Sequence, residues 1–345
     1  MLDLKQYGYT HSGSTPDLAR VTAVHRERYE LICGEGPLFG KLKTSVYYGR
    51  VPKPFPTVGD FVRFQPVEGG DCQILGTLPR KSAFTRRDPD PVLGEQVVAA
   101  NFDYVFIMTS LNQDFNINRI ERYLTLAWQS GAMPVVILTK ADLTGDTNTR
   151  VQAVQTAAQG VDVIPVSVVS GAGLERLDRY LQPGKTIVFL GMSGVGKSSL
   201  LNTLMQQEVM AVSAIREDDG RGRHTTTHRQ LLRLPSGAMV IDTPGMRGLG
   251  LWDAEAGLSE TFSDIEALLG NCRFSDCRHE REPGCAIREA INNGTLSPTR
   301  WENFQTLQQE AAYTQSKADF LRQKREKSKD IAKHVRQIKK NGRKT

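Results

Sequence analysis

No apolar run in this chain is longer than a β-strand, so nothing in it offers the roughly 20 consecutive apolar residues that a membrane-spanning helix needs. The opening residues, MLDLKQYGYTHSGSTPDLAR, lack the apolar core of a secretory signal. A cytoplasmic location without membrane contact is expected. Cysteine is scarce, with five in 345 residues. Cys33 and Cys72 stand alone, whereas Cys272, Cys277 and Cys285 gather with His279. In a reducing compartment that grouping favours a metal over disulfides. An excess of positive charge is missing from most of the chain. Residues 317–345 hold 12 of the 44 Lys and Arg and only 3 of the 38 Asp and Glu, so the remainder is slightly acidic. A field concentrated in a tail suggests a polyanionic partner there, nucleic acid above all. The length allows two or three domains.

Three composition zones follow one another. Residues 1–90 contain short apolar alternations separated by turn signals at 34–37, 52–56 and 69–70, with no long helical pattern. About five short strands suggest a small barrel, for which an OB-fold is one candidate. The mixture of basic and aromatic residues in KLKTSVYYGR, 41–50, suits RNA. RKSAFTRRDPDPVLGE, 80–95, reads as a linker. Residues 91–250 then alternate buried-type strands (102–110, 134–140, 161–167, 185–191, 237–245) with helical stretches ending near Gly131, at 151–160 and 171–181, and after Lys197. That alternation predicts a mostly parallel sheet covered on both faces. Residues 251–345 read as helical around the Cys/His cluster, and Ser297-Pro298 marks a helix start before Trp301, Phe304 and Leu307.

The chemistry lies in five short stretches. Gly191-Met192-Ser193-Gly194-Val195-Gly196-Lys197-Ser198-Ser199 is a complete phosphate loop between a strand and a helix. Its glycines let successive N–H groups face phosphate oxygens, Lys197 adds charge at the β- and γ-phosphates, and the Ser198 hydroxyl is placed for Mg²⁺. Asp242-Thr243-Pro244-Gly245 follows a strand and matches the DxxG element, in which the Asp helps hold the metal and the Gly245 N–H meets the γ-phosphate. Between these lies GRGRHTTTH, 220–228, where a switch loop is expected. Thr225, Thr226 and Thr227 all offer a Mg²⁺ ligand there, and Thr226 is carried as the candidate. Thr139-Lys140-Ala141-Asp142 matches a base-reading loop. The Asp142 carboxylate can accept from guanine N1–H and the exocyclic amine, which adenine does not offer in that arrangement. Lys140 can lay its stem against the ring, and Ser167 and Val168 can supply backbone contacts to the guanine oxygen. Thr139 stands where an Asn is usual. Met246 occupies the position of a water-orienting Gln, so either intrinsic hydrolysis is slow or another group, with His224 the nearest candidate, supplies the contact. Finally, Cys272-x4-Cys277-x-His279-x5-Cys285 is a Cys3His set for one structural, tetrahedral Zn²⁺.

The base-reading loop precedes the phosphate loop in the chain, the reverse of an ordinary GTPase. This is the order of a GTPase sheet cut open at a different place, which a domain with neighbouring ends tolerates. With the motifs TKAD, GMSGVGKSS, RGRHTTT, DTPG and the zinc spacing in this order, the chain resembles the RsgA family of circularly permuted, ribosome small subunit-dependent GTPases. The resemblance implies an N-terminal OB-fold β-barrel, a central permuted P-loop GTPase and a C-terminal helical zinc domain. It also implies GTP and GDP as ligands, late maturation of the small ribosomal subunit, contact with its rRNA, and hydrolysis stimulated by that subunit. A monomeric chain is expected. Met192 stands where many members have Gln. The rival readings are a nucleotide-gated rRNA-binding factor with negligible turnover and a permuted GTPase acting on the large subunit.

Overall fold

The computed structural model describes residues 2–10, 16–26, 28–47, 54–87, 95–112, 115–210, 229–242, 249–251 and 254–314. It begins with five short strands. They are β1 (Leu18–Val24), β2 (Tyr29–Cys33), β3 (Gly36–Leu42), β4 (Phe61–Gln65) and β5 (Cys72–Thr77). Their order is β1-β2-β3-β5-β4, and β4 pairs back onto β1, so the sheet closes. Only β3 and β5 run parallel. That closed five-strand order is the OB barrel anticipated from the turn spacing. Alternation along the strands aims Ala19, Val21, Leu31, Val62, Phe64 and Ile74 inward. A single helical turn, α1 (Thr44–Tyr47), follows β3 and buries Tyr47 completely in the same core.

The stretch read as a linker is partly a strand. Residues Ala83–Arg87 form β6, paired with β7 (Glu95–Ala100). Charge in AFTRR hides a buried Phe84, which stacks on Phe102 at 4.9 Å. Burial of that one ring against a tertiary partner outweighs the polar look of the segment.

An α/β part then builds up from β8 (Tyr104–Ser110), α2 (Ile117–Gln129), β9 (Met133–Thr139), α3 (Thr147–Ala157), β10 (Asp162–Pro165), β11 (Thr186–Gly191), α4 (Lys197–Met205), β12 (Gln230–Arg233) and β13 (Met239–Asp242). Helix α2 starts where Asn116 accepts the Arg119 N–H, and Gly131 follows its end in the left-handed conformation. The strand order is β10-β9-β8-β11-β13-β12, parallel throughout except for β12. Such strands are buried on both faces, which explains the unbroken apolar runs VFIM and VVIL. The helix expected over 171–181 is instead one 3₁₀ turn, Leu174–Leu177. Gly173 lies so close to β10 that a Cβ there would sit 2.2 Å from the Pro165 carbonyl oxygen. That contact, with left-handed backbone at both Gly171 and Gly173, leaves no room for regular helix.

Barrel and parallel sheet form one compact unit. Strand β1 pairs with β12 through Ala23 and Gln230, so eleven strands make a continuous sheet. At this seam Arg20 is fully buried. Its guanidinium donates to the carbonyls of Tyr7, Gly59 (3.2 Å) and Asn101 (3.0 Å), and one nitrogen lies 3.3 Å from the Met239 sulfur. Asn101, with φ of 55°, donates its side-chain amide N–H to the same Gly59 carbonyl at 3.1 Å. Gly59 itself is irreplaceable, because a Cβ would fall 2.0 Å from the Ala100 carbonyl oxygen. Burial lowers the Arg20 pKa to about 10, against the opposing pull of Asp103 and Asp60, so the group stays charged at neutral pH.

The described residues beyond Leu249 belong to a second unit. It holds α5 (Glu255–Thr261), α6 (Ser263–Glu266), α7 (Ala286–Asn292) and a last helix, α8, from 298 to 314. Helix α8 begins at Pro298, as the Ser-Pro signal predicts, and buries Phe304 and Leu307.

Replacing Arg20 with Lys keeps a charge but loses the planar fork whose separate nitrogens reach the three carbonyls. Urea unfolding of that variant is expected to show a loss of about 3 kcal/mol. A loss below about 0.5 kcal/mol would remove the guanidinium fork from the account of this seam.

Candidate nucleotide site and metal centre

Parallel registry brings the carboxyl ends of β9, β10, β11 and β13 to one edge of the sheet, the edge where open α/β sheets bind ligands. β11 ends at Gly191, whose missing side chain matters. A Cβ there would meet the Met108 carbonyl oxygen of β8 at 2.4 Å. The loop then turns through Gly194 (φ 79°) and Gly196 (φ 97°), and Gly196 caps α4. Such left-handed residues let a loop's amides turn inward, and α4 begins directly behind them. Lys197 curls over the loop and donates to the carbonyls of Gly191 (2.8 Å) and Met192 (2.5 Å). Ser198 and Ser199 begin the helix, Val195 is buried, and Met192, Ser193 and Gly194 are exposed at the rim.

β9 delivers the base-reading loop to the same edge. Thr139 is 3% exposed, and its hydroxyl donates to the Val195 carbonyl at 2.6 Å. The threonine therefore ties the base loop to the phosphate loop across 56 residues of chain. Lys140 adopts left-handed backbone (φ 58°), and a 3₁₀ turn, Ala141–Leu143, presents Asp142 to solvent. The Ala141 N–H donates to the Val166 carbonyl at 3.1 Å, which draws this turn against the segment after β10. There Ser167 is buried, its hydroxyl accepts the Ser170 N–H at 3.1 Å, and its own N–H donates to the Ala172 carbonyl at 2.9 Å. Of the expected pair Ser167 and Val168, the Ser167 amide is thus engaged within the protein.

Asp242 ends β13, paired in register with Gln230. Its side chain lies outside the described residues, as do His224, Thr225, Thr226 and Thr227 of the expected switch loop, Gly245 and Met246 beyond β13, and the basic tail 317–345.

In the second unit Cys272, Cys277, His279 and Cys285 converge, with their ligand atoms all within 4.8 Å of one another. The Cys272 and Cys285 sulfurs are 3.9 Å apart, and the His279 Nδ1 lies 3.5 Å and 3.4 Å from them. A zinc tetrahedron with bonds of about 2.3 Å to sulfur and about 2.0 Å to nitrogen requires edges of roughly 3.5–3.8 Å. The residues fit Zn²⁺, with four ligands and no position left for water. The five-residue loop between His279 and Cys285 is held by Glu282, whose carboxylate accepts the N–H groups of Arg278, Glu280 and Arg281. Backbone amides, its own and then those of Arg278 and Arg281, hold the carboxyl down to about 2. The His279 ring meets Trp301 edge-on at 5.5 Å, and Trp301 stacks on Phe304 at 5.7 Å. Helix α8 thus backs the cluster with an aromatic wall.

The junction residues Arg20, Asp60 and Asn101 escape sequence reasoning, since each is a polar residue in or beside a short strand. The tie made by Thr139 had one signal, a hydroxyl standing where an amide is usual.

A phosphate loop and a carboxylate-bearing base loop share the edge of a sheet whose chain order is rotated. Together they define a circularly permuted P-loop GTPase. Residues 77–252 match the family model described as RsgA GTPase. A small ribosomal subunit biogenesis GTPase RsgA 2 of Listeria monocytogenes is 46% identical, over 97% of each chain. The RsgA protein of Opitutus terrae is 41% identical over 91% of this chain and 89% of its own. Among solved structures, YjeQ of Thermotoga maritima aligns with a TM-score of 0.64 at 30% identity, over 84% of this chain and 96% of that one. YloQ, titled a circularly permuted GTPase, shares the fold at a TM-score of 0.61 and 24% identity, over 86% and 96% of the two chains. The chain belongs to the RsgA GTPase family, and it is a GTP-hydrolysing enzyme.

Thr139→Val removes the hydroxyl that joins the two loops and leaves the shape. Calorimetric titration with GDP is expected to show binding weakened about tenfold, the value of one buried hydrogen bond; unchanged affinity would mean the tie has no part in holding nucleotide. For the metal centre, elemental analysis should find one zinc per chain. Chelation should shift the emission of Trp301, and Trp301→Phe should abolish that component.

Proposed function

We propose that this protein acts in biogenesis of the small ribosomal subunit, docking on the subunit's rRNA in its GTP state and leaving after hydrolysis. The observation that carries the reading is the joining of the nucleotide-binding sheet to an OB barrel through one continuous sheet. The names of the relatives, which are small-subunit biogenesis GTPases, support it. In this reading the work divides among 1–90, an RNA-binding barrel, 91–250, the GTPase, and 251–345, the zinc domain with its basic tail.

The roles of the residues follow from their chemistry. Asp142 selects guanine through its two acceptor oxygens, and Lys140 covers one face of the base. The amides of 192–198 surround the phosphates. Lys197, held over the loop by two carbonyls, exchanges them for the β- and γ-phosphate oxygens and stabilises the charge that develops there. Ser198 and Asp242 would hold Mg²⁺, which supplies further neutralisation of the phosphates. Thr226 would add a Mg²⁺ ligand while the γ-phosphate is present, and the Gly245 amide meets that phosphate. Met246 cannot orient water, so subunit binding completes the site, with His224 the candidate for positioning the nucleophile.

Steady-state phosphate release should rise by at least an order of magnitude when purified small subunits are added, and not with large subunits. A rate that ignores small subunits would overturn subunit dependence. Binding should also fall steeply with salt if the tail contacts phosphates.

A further inference from the structure

The ligand face of an OB barrel is formed by strands β2 and β3 with the β1–β2 and β4–β5 loops. On this barrel one group of side chains draws on those parts together. Phe39 projects outward from β3 and is 42% exposed. Arg28, at the end of the β1–β2 loop, lays its guanidinium over the Phe39 ring, 3.8 Å from the centroid. Asp71, at the end of the β4–β5 loop, fixes that guanidinium with bonds of 2.6 Å and 3.2 Å. Lys41, two residues along β3 on the same face, reaches the other Asp71 oxygen at 3.5 Å. The Arg28 side chain remains 47% exposed and that of Lys41 63%.

An exposed aromatic ring held against a fixed guanidinium plane makes a flat surface, rigid before any ligand arrives. A lone surface phenylalanine would have neither property. Two carboxylates beside Phe39 are paired, Asp71 with Arg28 and Lys41, and Glu30, opposite Phe39 in the β2–β3 ladder, with His25 at 2.7 Å. Around Phe39, Arg28 and Lys41 are offset by Asp71 and Glu30, and this patch carries little net charge. It is poorly suited to gripping the phosphates of a duplex and well suited to stacking, while Lys41 can meet a single phosphate.

We propose that the Phe39–Arg28 stack is a base-stacking platform that takes one unpaired base of an RNA strand. RNA is favoured over a peptide because unstacked bases are the partners that dock on aromatic and guanidinium planes together. The proposal rests on the RNA-binding reading and narrows it. The barrel contributes recognition of an unpaired nucleotide, and charge neutralisation is left to other parts of the chain.

The test uses the full-length zinc-loaded protein and a single-stranded oligoribonucleotide carrying 2-aminopurine. A duplex of the same sequence and purified small subunits serve as comparisons. Binding of the single strand should quench the 2-aminopurine. Phe39→Ala should remove the quench and weaken single-strand binding by at least about fivefold, the lower end for one base–aromatic stack. Phe39→Trp should keep both. Because stacking is not ionic, the ratio between native protein and Phe39→Ala should persist at high salt. Phe39 is exposed and far in sequence from the nucleotide loops, so basal GTP hydrolysis should be unchanged and reports intact folding. Equal single-strand binding by native protein and Phe39→Ala overturns the platform, and so does native protein that sediments with small subunits yet ignores the oligonucleotide. If native protein binds neither, the RNA-binding reading itself fails.

Discussion

The architecture depends on the seam where β1 of the barrel pairs with β12 of the nucleotide-binding sheet. One edge pairing alone would leave two small domains free to move about it. Here a buried guanidinium takes carbonyls from the N-terminal turn, the barrel and the chain entering β8, and so joins three segments distant in sequence. Burying a cation is unfavourable unless its donors are satisfied. Arg20 meets that condition with carbonyl oxygens at fixed places, so the orientation of barrel to sheet is set by the geometry of those bonds.

That rigidity bears on function. The strand that leaves the expected switch segment is β12, and its first paired residue, Gln230, bonds to the barrel. The permutation thus gives the segment between α4 and β12 an anchor on the phosphate-loop helix at one end and on the barrel at the other. The cut lies between β13 and β8, which are separated in the sheet only by β11. It opens no edge in the core, which is why the parallel sheet keeps the packing of an uncut one.

Within the nucleotide site the structure replaces one set of contacts by another. A threonine at 139 offers one donor where an amide would offer two. That donor goes to the Val195 carbonyl of the phosphate loop, so the two loops are joined. Asp142 stays exposed beside that tie, at the same edge of the sheet.

The chemistry of this protein was determined by its sequence, because phosphate loops, base loops and thiolate clusters are local. Nine residues between a strand and a helix suffice to shape 191–199, and the intervals among Cys272, Cys277, His279 and Cys285 suffice to suggest four ligands around one ion. The buried-strand runs at 104–110, 133–139 and 186–191 were equally legible, since strands covered on both faces are apolar throughout. Other features were decided only by tertiary structure. Arg20 reads as an ordinary basic residue in LARVTAV, the charged AFTRR conceals a paired strand, and the segment near 174 gives up its helix to a close approach of Gly173 to β10. Nothing in a short stretch of chain reports which distant backbone carbonyl will lie opposite it. Closure of the barrel, the meeting of Thr139 with Val195 and the burial of Arg20 all depend on such long-range pairings.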